Sequence, residues 1–140
     1  MSRLLFDSSS LIKALKQGRV DLLARNYIHW LTIYEVLNAI WKETCFLKTI
    51  PEDKVIAFAE ILKQVTGLMK ILDPKGLEED MLKTAIQRGI TAYDASYIVL
   101  AMKHGLTLVT EDSKLRAKAR GLVETTSLDE LSASLGSIRE

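Results

Sequence analysis

The sequence predicts an α/β fold: three α/β/α layers around a short parallel central sheet. Three observations carry this expectation. Short β-rich runs alternate with helical segments along the chain. One stretch, Ile90 to Arg120, compresses the pattern into helix, tight turn, strand and helix. No linker or internal repeat interrupts the 140 residues, which suit one domain burying about 70% of its unfolded surface.

Taken in order, Arg3–Phe6 is an apolar strand ending at Asp7, and after three serines Leu11, Ile12 and Leu15 begin a helix closed by Gly18. Val20–Arg25 is a short helical piece. Tyr27–Leu31 is β-rich, and Thr32 leads into Ile33, Val36, Leu37, Ile40 and Trp41 at helical spacing. Pro51 at a first helical position, beside Glu52 and Asp53, announces an amphipathic helix up to about Thr66. Gly67–Leu72 reads as strand, cut off by Asp73-Pro74. Leu77–Arg88 is a helix closed by Gly89.

In the central stretch, Asp94 opens a helix after Thr91-Ala-Tyr, and Tyr97, Ile98, Ala101 and Met102 repeat behind it. Gly105 stops that helix, because glycine readily takes the left-handed conformation of a helix C-terminus. Leu106–Thr110 is a short strand, and Glu111-Asp112-Ser113 ends it and caps the next helix. Gly121–Thr125 follows as a last short strand, and Ser127-Leu-Asp-Glu130 fits a capping box for a short final helix. The domain is expected over 1–131, with 132–140 a loose tail.

The net charge is +1, so no global field draws the chain to nucleic acid, and such binding needs a local patch. A lone Cys45 excludes an internal disulfide framework and a cysteine-based zinc site; its place between Thr44 and Phe46 near a helix end predicts a packed core thiol. No signal peptide is recognisable and no apolar run reaches membrane-span length. The expectation is a cytoplasmic protein without a membrane partner.

Asp7 and Asp112 end strands, while Glu35 and Asp94 lie in first turns of helices. Right-handed crossovers put strand ends and the following helix N-termini on one side of a parallel sheet. Four acidic side chains from distant places therefore converge toward one cleft, on the edge where open α/β sheets bind ligands. The ordered set of an apolar strand ending in Asp7-Ser, Thr32-Ile-Tyr-Glu35, Thr91-Ala-Tyr-Asp94-Ala and Leu108-Val-Thr110-Glu-Asp112 resembles the PIN domain family, most closely the VapC-type toxins. The resemblance implies a PIN-like fold, a metal-dependent ribonuclease with Asp7, Glu35, Asp94 and Asp112 as its acidic positions, a small VapB-like antitoxin as partner, and a homodimer. Two features depart from the usual pattern. Three serines follow Asp7 where Thr-Ser is commoner, and Glu111 adds a carboxylate beside Asp112.

Each acid also has a purely structural reading. Asp7 and Asp112 suit helix caps, Thr32-x-x-Glu35 is a literal capping box, and Asp94 sits in a favourable first turn. Together they strain that reading. Two carboxylates about 4 Å apart repel by roughly 1 kcal/mol in water and about 4 kcal/mol at an effective dielectric near 20, so a crowded set takes up protons or a cation. An oxygen-only donor set suits Mg²⁺ or Mn²⁺ rather than Zn²⁺. Asp7, Asp94 and Asp112 are the expected ligands; Glu35 could ligate, act through water or orient the nucleophile. Lys114, Arg116, Lys118 and Arg120 form two i,i+4 pairs on different helix flanks, suited to phosphates or to plain solvation. His29 and His104 look incidental.

Other Asp-at-strand-end chemistries fit less well. A haloacid-dehalogenase phosphatase needs a second Asp at the position of Ser9, and a response-regulator receiver needs an acidic pair at the first strand end. The alternative from another class is a catalytically silent PIN-like module that binds RNA or protein. Intact acids at all four positions count against it, and indifference to divalent metal would favour it.

Overall fold

A computed structural model describes residues 3–139, with side chains described through residue 135. Five strands, β1 (Leu4–Phe6), β2 (Tyr27–His29), β3 (Lys70–Leu72), β4 (Thr107–Val109) and β5 (Thr125–Thr126), are all parallel and lie in the order β3-β2-β1-β4-β5. From the central β1 the chain winds outward first through β2 and β3, then returns to β4 and β5. The direction reverses between β1 and β4. That is the topological switch point where α/β sheets open a crevice at their C-terminal edge.

Among the described residues eight α-helices cover the sheet: α1 (Ser8–Lys16), α2 (Val20–Leu23), α3 (Trp30–Cys45), α4 (Val55–Thr66), α5 (Glu78–Arg88), α6 (Ala92–His104), α7 (Ser113–Ala119) and α8 (Leu128–Arg139). Strand alternation divides the core. Leu4 and Phe6 face a cluster with Leu11, Leu23, Val36, Leu62 and Leu128, supplied by α1–α4 and α8. Leu5 and Leu108 face the other, with Tyr97, Ile98, Leu100, Leu115 and Ala119 from α6 and α7. Seven consecutive residues of α6, Ala95 to Ala101, are buried, so the middle of this helix is enclosed on all sides. Gly105 caps it at φ 63°, a conformation that suits glycine.

The predicted elements are present with shifted boundaries. Pro51 precedes a 3-10 turn, Glu52–Lys54, and the α-helix begins only at Val55. The last strand is Thr125–Thr126, because Leu122 and Val123 pack against the α6–α7 core cluster. Cys45 is exposed rather than packed: the core face of α3 is Thr32, Val36 and Ile40, and Cys45 lies off that stripe. The final helix runs to Arg139 across the stretch expected to be loose. Leu131 and Leu135 pack against the first core cluster, and this apolar contact is what extends it. Among the described residues no helix is long and apolar enough to cross a membrane.

Candidate active site

Parallel pairing of β1 with β4, Phe6 opposite Val109, brings Asp7 and Asp112 to the same edge on either side of the switch point. The Asp7 amide donates to the Val109 carbonyl at 3.1 Å. Asp7 is the N-cap of α1: its Oδ1 accepts from the Ser10 amide at 3.0 Å and the Ser9 hydroxyl at 2.7 Å. Asp112 is the N-cap of α7, and its Oδ1 accepts from the amides of Lys114 (2.9 Å) and Leu115 (3.2 Å). Capping and site chemistry are therefore not alternatives. In both residues the hydrogen bonds fall on Oδ1, leaving Oδ2 for other work.

Thr91, not Asp94, is the N-cap of α6, accepting the Asp94 amide at 3.1 Å. This fixes Asp94 in the first turn, beside the helix N-terminus. Glu35 comes from the second turn of α3. The capping box at the head of α3 differs from the one predicted: His29 is the N-cap and Thr32 the reciprocal residue. Thr32 Oγ1 accepts the His29 amide at 3.1 Å and lies 2.8 Å from the Tyr97 hydroxyl, which donates to Glu35 Oε1 at 2.6 Å.

The four acids share one electrostatic field. Burial raises the Asp94 carboxyl above the usual range, and the charges of Asp112 and Asp7 raise it further. Burial likewise raises Glu35, with Asp7 and Asp94 adding to it against the Tyr97 hydrogen bond. Among the described residues none of Asp7, Glu35, Asp94 and Asp112 is paired with a lysine or arginine, although other acids of the chain are. Asp94 and Asp112 line one concavity of about 430 Å³ with Thr91, Lys114 and Lys118. Among the described residues no three His, Cys, Asp or Glu side chains close around a single point as a ready-made cation site. Mutual repulsion and the hydrogen bonds on Asp7, Glu35 and Asp112 give a physical reason for that open arrangement. The donor chemistry, carboxylate oxygens without counter-cations, fits a hard divalent ion.

Glu111 is occupied elsewhere. Its Oε1 meets Lys13 Nζ at 2.9 Å, and its Oε2 accepts the Leu128 amide at 2.9 Å, tethering the start of α8. This separates it from Asp112 in role. The basic residues divide similarly: Lys114 and Lys118 border the acidic concavity, whereas Arg116 binds Glu130 at 3.0 Å and shares another concavity with Arg120. His29 is not incidental. Its ring is buried, contacts Ser96 Oγ at 3.0 Å, accepts the Leu31 amide and meets the Tyr97 ring edge-on. Burial lowers its pKa to about 4, so the ring is a neutral structural element at neutral pH.

A sequence model of the PIN domain matches residues 4–121. Exonuclease VapC9 of Pyrobaculum aerophilum is 41% identical over 98 residues, 70% of this chain and 70% of that protein. Ribonuclease VapC3 of the same organism is 33% identical over 93 residues, covering 66% of this chain and 70% of that protein. The crystal structure of PAE2754 from Pyrobaculum aerophilum superposes with a TM-score of 0.80 at 33% identity, over 97% of this chain and 96% of that one. A more distant likeness, at 15% identity, is to VapBC2 of Rickettsia felis bound to a promoter DNA fragment, with a TM-score of 0.63 over 90% of this chain and 98% of that one. The matched span includes Asp7, Glu35, Asp94 and Asp112, and the chain belongs to the PIN domain family, in its VapC group.

Proposed function

We propose that this protein is a divalent-metal-dependent ribonuclease, the toxin of a toxin–antitoxin pair, hydrolysing RNA phosphodiesters at the site bordered by Asp7, Glu35, Asp94 and Asp112. The observation that carries the reading is the set of acids at the switch-point edge of the sheet, with Glu35 and Asp94 raised in proton affinity by burial and then by their acidic neighbours, and with none of the four paired to a base among the described residues. The relatives named as an exonuclease and a ribonuclease support it. Asp7, Asp94 and Asp112 would hold Mg²⁺ or Mn²⁺, with Glu35 beside them. Such an ion supplies charge against the phosphate and the leaving oxygen and acidifies water. The protein's own part is to hold Asp7 and Asp112 rigidly through their caps, to keep basic side chains off the acids, and to offer Lys114 and Lys118 to the substrate backbone.

Single-stranded or looped RNA is the expected substrate, since unpaired bases are the parts of RNA that proteins read by sequence. The test is cleavage of such RNA by purified protein. Activity should require Mg²⁺ or Mn²⁺ and stop with EDTA, while cleavage that ignores EDTA overturns the proposal. The lysines should act on binding alone. Lys114→Ala with Lys118→Ala is expected to weaken RNA binding and reduce the salt dependence by about two phosphate contacts, read as a flatter slope of log affinity against log salt. An unchanged slope removes them from the substrate path.

The partners in this reading are a small VapB-like antitoxin and a second copy of the chain. Complexes of toxin with antitoxin are among the solved structures with this fold. An apolar groove of about 720 Å³ between α3 and α4, lined by Leu37, Ile40, Trp41, Val55 and Ile56, leaves Trp41 and Ile56 largely exposed. Uncovered apolar surface of this kind marks a binding face, and a small antitoxin is the occupant proposed for it.

A further inference from the structure

We infer that Tyr97 is a positioning residue, whose hydroxyl, oriented by Thr32, holds Glu35 in the one arrangement that serves the acidic site. The inference rests on the proposed metal-dependent reading of that site and adds a residue to it. Tyr97 lies one turn beyond Asp94 on α6, with 2% of its surface exposed. Its hydroxyl reaches Glu35 across the interface with α3, spanning 62 positions of sequence, at 2.6 Å.

The hydrogen-bond chain has one consistent direction. The His29 amide can only donate, and it donates to Thr32 Oγ1. Ionised Glu35 can only accept, so the single Tyr97 proton goes to Glu35 Oε1. The Thr32 proton is then directed to the Tyr97 oxygen, 2.8 Å away. Each hydroxyl therefore receives one bond and gives one. The order runs from a backbone amide at the end of β2 to a carboxylate at the site. Such a chain polarises its members in the same sense and resists rotation of any one of them.

The ring is fixed as firmly as the hydroxyl. Tyr97 meets His29 edge-on, with centroids 5.3 Å apart and planes at 67°. His29 is itself held by Ser96 and by the Leu31 amide. Tyr97 therefore has little freedom to follow Glu35; Glu35 must follow Tyr97. Its Oε1 is committed to this bond, and Oε2 is the oxygen left for the cleft.

Thr32, Tyr97 and Glu35 thus form a strut between α3 and α6, the two helices that bring Glu35 and Asp94 to the site. Partners that orient a ligating side chain typically change metal affinity by about 10–100-fold when removed. A tyrosine that merely filled the core would affect stability and leave affinity unchanged.

The test is Mn²⁺ affinity, measured by calorimetry on the purified full chain, with Tyr97→Phe made in both wild-type and Glu35→Gln backgrounds. Tyr97→Phe keeps the ring and deletes the hydroxyl. It should weaken Mn²⁺ binding by about 10-fold or more in the wild-type background and add nothing once Glu35 is Gln, the coupling expected of a residue acting through another. Thr32→Val should weaken binding in the same direction, and Thr32→Ser, which keeps the hydroxyl, should restore it. These variants decide the matter if Tyr97→Phe does not fold. Unchanged Mn²⁺ affinity in folded Tyr97→Phe or in Thr32→Val overturns the inference, as does an equal loss in the Glu35→Gln background. Asp7→Asn in the same assay separates the two levels: if it also leaves Mn²⁺ binding unchanged, the metal-site reading itself falls.

Discussion

Asp7→Asn is expected to abolish RNA cleavage while leaving the fold intact. The two halves of this expectation come from the two oxygens of one carboxylate. Oδ1 caps α1 through the Ser10 amide and accepts the Ser9 hydroxyl, and an asparagine carbonyl oxygen can do both, asparagine being as good an N-cap as aspartate. What asparagine cannot supply is the negative charge and the second acceptor. Removal of one preorganised electrostatic group from an active site commonly costs about 10²–10³ in rate, and a lost metal ligand should cost at least that. Asp112→Asn should behave alike, since its two helix amides also fall on Oδ1. Circular dichroism and the melting temperature report the fold; cleavage of labelled RNA reports the rate. Unfolding of either variant, or retained cleavage, would return that aspartate to a capping role alone.

The second large effect is stabilisation by the ion. A ligand that binds only the folded form at 100 times its dissociation constant adds about 2.7 kcal/mol, which for a domain of this size is roughly 10 °C in melting temperature. The pH dependence has a definite sign. Asp94 and Glu35 hold protons to higher pH folded than unfolded, so their protonated forms favour the fold at low pH. That contribution is lost as the pH rises through the raised values. Crowded negative charge thus weighs on the ion-free protein most at neutral pH, where Mn²⁺ competes least with protons. The Mn²⁺-induced rise in melting temperature should therefore grow from pH 5 to pH 7.5. Asp94→Asn should lose most of that rise and, relieved of repulsion, remain folded without the ion. A strongly destabilised Asp94→Asn with an undiminished Mn²⁺ response would contradict this.

Local signals were legible in the sequence wherever the determinants are local. β1 and β4 are apolar runs punctuated by Asp, Gly105 stops α6, and Thr91 stands where α6 begins. Placement of Asp7 and Asp112 on one edge followed from the handedness of crossovers alone. The features that the sequence does not show depend on contacts between distant positions. Thr32 and Glu35 look like a capping box in isolation, but His29 takes the cap, and Thr32, its reciprocal residue, also reaches Tyr97, 65 positions away. Tyr97 reads as core because it is core; only its neighbour across the helix interface reveals the hydroxyl's use. Glu111 and Asp112 are adjacent acids that only the family resemblance ranks, and the bonds of Glu111 to Lys13 and the Leu128 amide show it engaged elsewhere. The final helix is longer than its own sequence suggests because Leu131 and Leu135 are stabilised by a core formed from other elements.

If these acids bind one kind of ion at one place, its position in a crystal should show it. A crystal of the protein soaked in Mn²⁺ should show an anomalous peak at the C-terminal edge of β1 and β4, with oxygens of Asp7, Asp94 and Asp112 turned in to about 2.1 Å, the distance expected for a small hard divalent ion. Glu35 should join them through its free Oε2, with Oε1 still bonded to Tyr97. No peak at this edge, in crystals of protein that cleaves RNA with Mn²⁺ in solution, would show that the chemistry takes place elsewhere.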